Sequence, residues 1–184
     1  SSGGTEFQTD DRLLQDRLYI NDGKGNFTKS GDALPEMLSS TNRVAASDFD
    51  QDGDMDLVVG GRNVPGKYPF APRTYLLQND GGKFTDVTAD RAPELQYAGM
   101  ITGLAFSDYD GDGDEDLLAV GEWMPFSVYK NEGGKFSSKT KDLKLENTTG
   151  WWTSLTPADI DGDGDTDYIA GNIGENNKFH PKEE

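Results

Sequence analysis

The apolar positions of this chain come in short runs that recur. Leu57-Val-Val, Leu117-Leu-Ala-Val and Tyr168-Ile-Ala each end at a glycine (Gly60, Gly121 and Gly171), and each follows a polar stretch with aspartate at every second position. Runs of this length, bounded by turn residues, predict strands rather than helices. A second set interleaves with the first. Leu18-Tyr-Ile, Leu76-Leu-Gln and Val128-Tyr-Lys lead into Asn-Asp-Gly or Asn-Glu-Gly and emerge at Phe27, Phe84 and Phe136. Short apolar strands joined by such turns are a hairpin signal, with glycine supplying positive φ.

Together the two sets give one unit: strand, Asp-rich loop, strand, longer connection, strand, Asn-Asp-Gly turn, strand. Successive Asp-rich loops start 60 and then 51 residues apart. A four-stranded sheet of this size cannot bury both faces alone, so the units must stack. A four-stranded repeat of this length predicts an all-β fold of antiparallel β-propeller blades. Two complete blades are expected at 42–90 and 100–140. An outer half-blade is expected at 17–30 and an inner half-blade at 152–172, all within a single partial propeller spanning 1–184. That is about three blades, where propellers typically close with about four to eight. The remaining blades are expected from a longer chain or from a second copy. Two copies joined head to tail would make a six-bladed dimer, and a piece of a single-chain propeller is the simpler expectation.

Charge changes the picture. Leu, Ile, Val and Phe make up about a fifth of the 184 residues and the formal net charge is −17, a combination associated with disorder. The charge, however, is concentrated: fifteen aspartates, out of 34 acidic residues, fall in three nine-residue segments of one pattern. These are Asp48-Phe-Asp50-Gln-Asp52-Gly-Asp54-Met-Asp56, Asp108-Tyr-Asp110-Gly-Asp112-Gly-Asp114-Glu-Asp116 and Asp159-Ile-Asp161-Gly-Asp163-Gly-Asp165-Thr-Asp167. Calcium takes about six to eight oxygen ligands at about 2.3–2.6 Å. The pattern offers carboxylates at positions 1, 3, 5 and 9, a backbone carbonyl at position 7, and glycine at position 6 for the sharp turn. Three Ca²⁺ sites are therefore expected. An EF-hand would need glutamate at position 12 between two helices. That position holds Val59, Ala119 and Ala170, inside apolar runs. Magnesium fits less well, because it demands near-octahedral geometry and keeps its waters.

The Asp loops with their Asn-Asp-Gly partners resemble FG-GAP/VCBS repeats, as found in integrin α-subunit propellers and in bacterial secreted proteins. The resemblance covers roughly residues 17–176. Gly60-Gly-Arg-Asn-Val-Pro-Gly-Lys-Tyr-Pro69 and Gly121-Glu-Trp-Met-Pro125 are similar to bacterial members near cartilage-acidic-protein-like and ASPIC/UnbV-containing chains. The resemblance implies a calcium-stabilised propeller that is secreted: extracellular, at the cell surface or periplasmic. It names no ligand, since the repeat serves adhesion, glycan handling and scaffolding alike. In related propellers the calcium loops occupy one face. A ligand would then meet the opposite one, built here by Gly61–Arg73, Ala89–Met100, Glu122–Phe126 and Lys139–Trp151, which carry Arg62, Tyr68, Tyr97 and Trp123.

The other chemistry is sparse. There is no cysteine, and the single histidine, His180, cannot build a zinc site and is expected to be solvated. No apolar run approaches the roughly 20 residues of a membrane span, and no signal peptide is visible. The acidic balance argues against nucleic acid as a partner. Trp123, Trp151 and Trp152 offer a sugar-stacking platform, with packing between blades as the plainer reading. Arg43, Arg62 and Arg73 could pair an acidic ligand, but solvated charges or pairing with the many carboxylates is the simpler expectation. Asn147-Thr-Thr149 fits a glycosylation sequon by chance. No catalytic residues identify themselves, and the expected function is a non-catalytic extracellular calcium-binding module for adhesion, protein-ligand or glycan binding. The alternatives are the propeller portion of a secreted carbohydrate-active enzyme and a purely structural scaffold.

Overall fold

A computed structural model describes residue 4 and residues 6–174. His180 lies outside the described residues. Among the described residues the fold is almost entirely antiparallel β, with twelve strands, one short helix and two 3-10 turns. The first hairpin, β1 (Tyr19–Asn21) and β2 (Phe27–Lys29), forms a sheet of its own. A four-stranded sheet follows in the order β3 (Ser40–Ser47), β4 (Asp56–Asn63), β5 (Tyr75–Asp80) and β6 (Lys83–Asp86). The helix α1 (Thr88–Arg91) leads to a second set: β7 (Met100–Ser107), β8 (Asp116–Met124), β9 (Ser127–Asn131) and β10 (Phe136–Ser138). The last pair is β11 (Gly150–Ala158) and β12 (Asp167–Asn172). Among the described residues the sheets do not close into a ring. The strand, Asp loop, strand, hairpin unit inferred from the apolar runs is the unit observed, and the architecture is that of partial propeller blades.

The registers repeat from blade to blade. Leu57 faces Leu77 between β4 and β5, and Leu117 faces Tyr129 between β8 and β9. Each inner strand carries an irregularity at the same place, between Thr41 and Arg43, Ile101 and Gly103, and Trp152 and Ser154. Such a bulge leaves one residue outside the ladder. In the second blade that residue is Thr102, whose groups link the neighbouring inner strands: Arg43 Nε donates to the Thr102 carbonyl (2.5 Å), and Thr102 Oγ1 donates to the Trp152 carbonyl (2.7 Å).

The core lies between the sheets, as stacking requires. One cluster joins the first complete blade to the second through Phe49, Val58, Leu76, Ile101, Leu117, Tyr129 and Phe136. The other joins it to the N-terminal hairpin through Met37, Val59, Tyr75, Leu77 and Phe84, with Leu18 packed against them. Phe49, the second residue of the first Asp loop, is buried edge-on against Phe136 at 5.5 Å. Its carbonyl accepts from Asn131 Nδ2 (2.8 Å), so the loop of one blade is clasped by the hairpin of the next. Gly121 is needed for another close approach. A Cβ there would lie 2.1 Å from the Met100 carbonyl oxygen and 2.7 Å from Met124 Sδ.

Two substitutions test this account of the stacking. Phe49→Ala removes an aromatic from the interface between blades and is expected to cost about 3–5 kcal/mol. Gly121→Ala is expected to cost about 2 kcal/mol through forced separation of β7 and β8. Denaturant titration measures both. A loss below about 1 kcal/mol for Phe49→Ala would show that the two blades do not depend on this contact.

Candidate metal sites

Each Asp loop connects the first two strands of its blade, and all three place the same residue types together. In each, three carboxylates offer oxygens that lie within 4.8 Å of one another: Asp48, Asp50 and Asp56; Asp108, Asp110 and Asp116; Asp159, Asp161 and Asp167. These are positions 1, 3 and 9 of the pattern. The aspartates of position 5, Asp52, Asp112 and Asp163, are not in these groups. Each instead turns back on its own loop and accepts the amide of position 7, at 2.9, 3.0 and 2.9 Å respectively. Position 1 closes the turn: Asp48 Oδ2 accepts from Gly53, Asp108 Oδ2 from Gly113, and Asp159 Oδ2 from Gly164.

Positions 7 and 9 carry contacts that the linear pattern does not reveal. Asp56 and Asp116 are the first residues of β4 and β8 and are fully buried. Asp56 Oδ1 accepts from the Asn79 amide (2.7 Å) and Oδ2 from the Phe49 amide (3.2 Å). Asp116 repeats this with Asn131 (2.7 Å) and Tyr109 (3.2 Å). Asn79 and Asn131 are the asparagines of the Asn-Asp-Gly and Asn-Glu-Gly turns, and their side chains bond back to the carbonyls of Met55 and Glu115. At position 7, Asp54 Oδ2 accepts from Gly81 (2.8 Å) and Asp114 Oδ2 from Gly133 (3.2 Å). The two repeats of the sequence are thus two halves of one device, in which the hairpin turn caps the acidic loop of its own blade. In the third loop Asp167 Oδ2 accepts from Ile160 (3.0 Å), and among the described residues no hairpin turn caps it.

These residues fit a hard divalent cation. Oxygens on opposite sides of a calcium ion with bonds of about 2.4 Å stand about 4.8 Å apart, so one ion can touch all three carboxylates of a group. The donor set is oxygen alone, which suits calcium or magnesium and not a thiophilic metal. The first loop adds an independent sign. Asp50 Oδ2 is satisfied by Gln78 Nε2 (2.8 Å) and Arg91 (3.0 Å), whereas Asp50 Oδ1 is buried with no hydrogen-bond partner. A buried carboxylate oxygen without a donor is costly unless a cation meets it. Two unit charges 4.8 Å apart also repel by about 3 kcal/mol at an effective dielectric constant of ~20.

The electrostatics record that strain. Burial, reinforced by the neighbouring carboxylates Asp50 and Asp52, pushes Asp56 up to about 6. Burial with Asp110 and Asp112 does the same to Asp116, also to about 6. Asp112 is held below the usual carboxylate range by the Asp114 amide and then by Lys130.

The remaining residues singled out from the sequence lie elsewhere. Arg62 pairs with Glu122 (2.5 Å), and Arg73 pairs with Asp86 (2.6 Å) and stacks over Tyr75. Trp123 and Trp151 stand 5.2 Å apart, and Trp123 Nε1 donates to the Tyr68 hydroxyl (2.6 Å). Trp152 Nε1 donates to the Thr148 carbonyl (3.1 Å).

A family model of FG-GAP-like repeats matches residues 8–59 and 108–170, more than half of the chain. No curated protein matches it.

The raised Asp56 and Asp116 carboxyls give a pH dependence of definite sign. Between about pH 4 and pH 6 the metal-free folded protein binds protons that the unfolded chain has released, so its stability falls as pH rises through this window. Metal-free protein should therefore melt at a higher temperature at pH 5 than at pH 7. Asp56→Asn/Asp116→Asn should flatten the slope. A metal-free melt that is lower at pH 5 than at pH 7 would contradict the assignment.

Proposed function

This chain belongs to the FG-GAP-like repeat family, and we propose on that premise that it is a non-catalytic, secreted ligand-binding module whose blades are fastened by three Ca²⁺ ions. FG-GAP repeats are typical of extracellular ligand-binding modules. Among the described residues no helix is long and apolar enough to cross a membrane. Within the family this reading favours the bacterial secreted VCBS-type members with ASPIC/UnbV-like loops, on the sequences 60–69 and 121–125. In each site the carboxylates of positions 1, 3 and 9 would hold the ion. Bound calcium would supply the positive charge that the loop lacks and would draw the start of the middle strand and the hairpin turn onto one centre.

The observation that carries the reading is the separation of two chemistries to opposite ends of the blades. The strands β4 and β8 begin at an Asp loop and run away from it, so the connections from β4 to β5 and from β8 to β9 lie at the far end, joined there by the segment before β7 through the Thr74 amide on the Gln96 carbonyl. There the chain exposes Tyr68, Phe70, Tyr97 and Trp123. Trp123 sits at φ 58°, a left-handed conformation unusual for a bulky residue, with its indole bonded to Tyr68 and packed on Trp151. Beneath it, Glu122 is buried against Arg62, and its Oε2 has no hydrogen-bond partner. Exposed aromatics beside a polar pair, on a scaffold fastened at its other end, suit a glycan or the polar-aromatic surface of a protein.

A screen of the purified chain on immobilised glycans and extracellular proteins, with calcium and after its removal, tests the proposal. Binding is expected in calcium, and Tyr68→Ala or Trp123→Ala should weaken it about tenfold or more while calcium content stays unchanged. Binding that depends on the Asp-loop end and ignores both aromatics would refute the ligand face. Turnover of a polyuronide or another polysaccharide would refute the non-catalytic assignment.

A further inference from the structure

The three loops are alike in sequence but differ in what faces them. In the first blade the residue preceding the capping asparagine is Gln78. Its amide donates to Asp50 Oδ2 at 2.8 Å, and Arg91 donates to the same oxygen at 3.0 Å. Both hold one edge of the carboxylate. The other oxygen, Oδ1, is left without a donor, on a side chain only 10% exposed. The first site is thus oriented by neutral and cationic donors on one oxygen, with the second kept clear.

In the second blade the same position, one residue before Asn131, is Lys130. The registers are equivalent, since Leu57 faces Leu77 and Leu117 faces Tyr129, each one residue earlier. The Lys130 ammonium bonds Asp110 Oδ2 and lies 2.9 Å from Asp112 Oδ2. Asp110 is the third-position carboxylate of the metal group. A lysine therefore sits on a carboxylate that a cation needs and ties it to Asp112, where the first blade has Gln78 and Arg91 together on one oxygen of Asp50 and leaves the other clear. Among the described residues the third loop has neither.

We propose, resting on the calcium assignment above, that Lys130 is a built-in competitor for the second metal ion, so that the sites load in order, the first before the second. An ammonium carries one charge and a few directed hydrogen bonds. It holds the second loop closed when calcium is scarce and must give up its contact with Asp110 when calcium binds. Partly exposed ion pairs of this kind are individually weak. Two of them would therefore weaken the second site about two- to thirtyfold relative to a loop with glutamine in that place. The second site becomes the one that responds to changes in calcium over a range in which the first is already filled.

Each loop contains its own reporter. The glycine amide at position 6 donates to the first-position carboxylate: Gly53 to Asp48 (3.0 Å), Gly113 to Asp108 (3.0 Å) and Gly164 to Asp159 (3.2 Å). Calcium titration of the ¹⁵N-labelled full chain, followed at these three amides by NMR, reads the sites separately. In the wild type Gly53 is expected to move at lower calcium than Gly113. Lys130→Gln should bring the Gly113 midpoint down about two- to thirtyfold and leave that of Gly53 where it was. Lys130→Met, which keeps the aliphatic stem and removes the charge, should do the same and covers a failure of the glutamine variant to fold. Coincident midpoints in the wild type, or a Gly113 midpoint that neither substitution shifts, would overturn the role of Lys130 while leaving calcium binding intact. Amides that do not respond to calcium at all would overturn both.

Discussion

Mutual repulsion among three carboxylates whose oxygens lie within 4.8 Å of one another is the constraint on which the rest of this structure turns. In the first two loops the ninth-position aspartate is also fully buried, at the first residue of the strand that forms the middle of its blade. Its two oxygens accept one amide from the loop and one from the hairpin turn of the same blade. Whatever neutralises the loop therefore also sets where the strand starts and where the outer hairpin sits. An acidic loop of this kind works as a joint, and a divalent cation is the natural pin for it.

The joint extends from blade to blade. Phe49, within the first loop, fills the space against Phe136 of the following sheet, and Asn131 of that sheet holds the Phe49 carbonyl. Gln51 of the first loop reaches Asp114 of the second (2.7 Å). The glycine turn of the second blade comes so close that a Cβ on Gly134 would lie 2.9 Å from the Asp50 Cβ. A chain with few large apolar residues can stack sheets in this way because each interface joins a small apolar cluster to a polar clasp. The acidic ends are then committed to holding the stack, which leaves the far end, with Tyr68 and Trp123, open to vary.

Much of this was legible in the sequence because its signals are local. Leu57-Val-Val-Gly60 and its two counterparts announce the middle strands, Asn79-Asp-Gly and its counterparts announce the hairpins, and alternating aspartates place carboxylates on one side of a tight turn. Of the three arginines expected to be solvated or paired with carboxylates, Arg62 and Arg73 do meet carboxylates, whereas Arg43 bonds the Thr102 carbonyl of the neighbouring inner strand, a contact that only stacking of the blades creates. What the spacing could not rank was the aspartates within a loop. Position 5 looks equivalent to position 3, yet Asp52 is taken by the Asp54 amide, and Asp56, at the end of the pattern, is the buried one. Nor could it show that Asn79 and Asn131 cap Asp56 and Asp116, because those contacts span 23 and 15 residues. The exchange of Gln78 for Lys130 looks like surface variation until register places both residues over an acidic loop.

Calcium content tests the central claim most directly. After equilibration in about 2 mM free calcium, as outside cells, elemental analysis of the purified chain should find three ions per molecule, and loss of the first-loop carboxylates in Asp50→Asn/Asp56→Asn should reduce this to two. Folded protein that retains no calcium, and whose count is the same in the variant, would contradict the account.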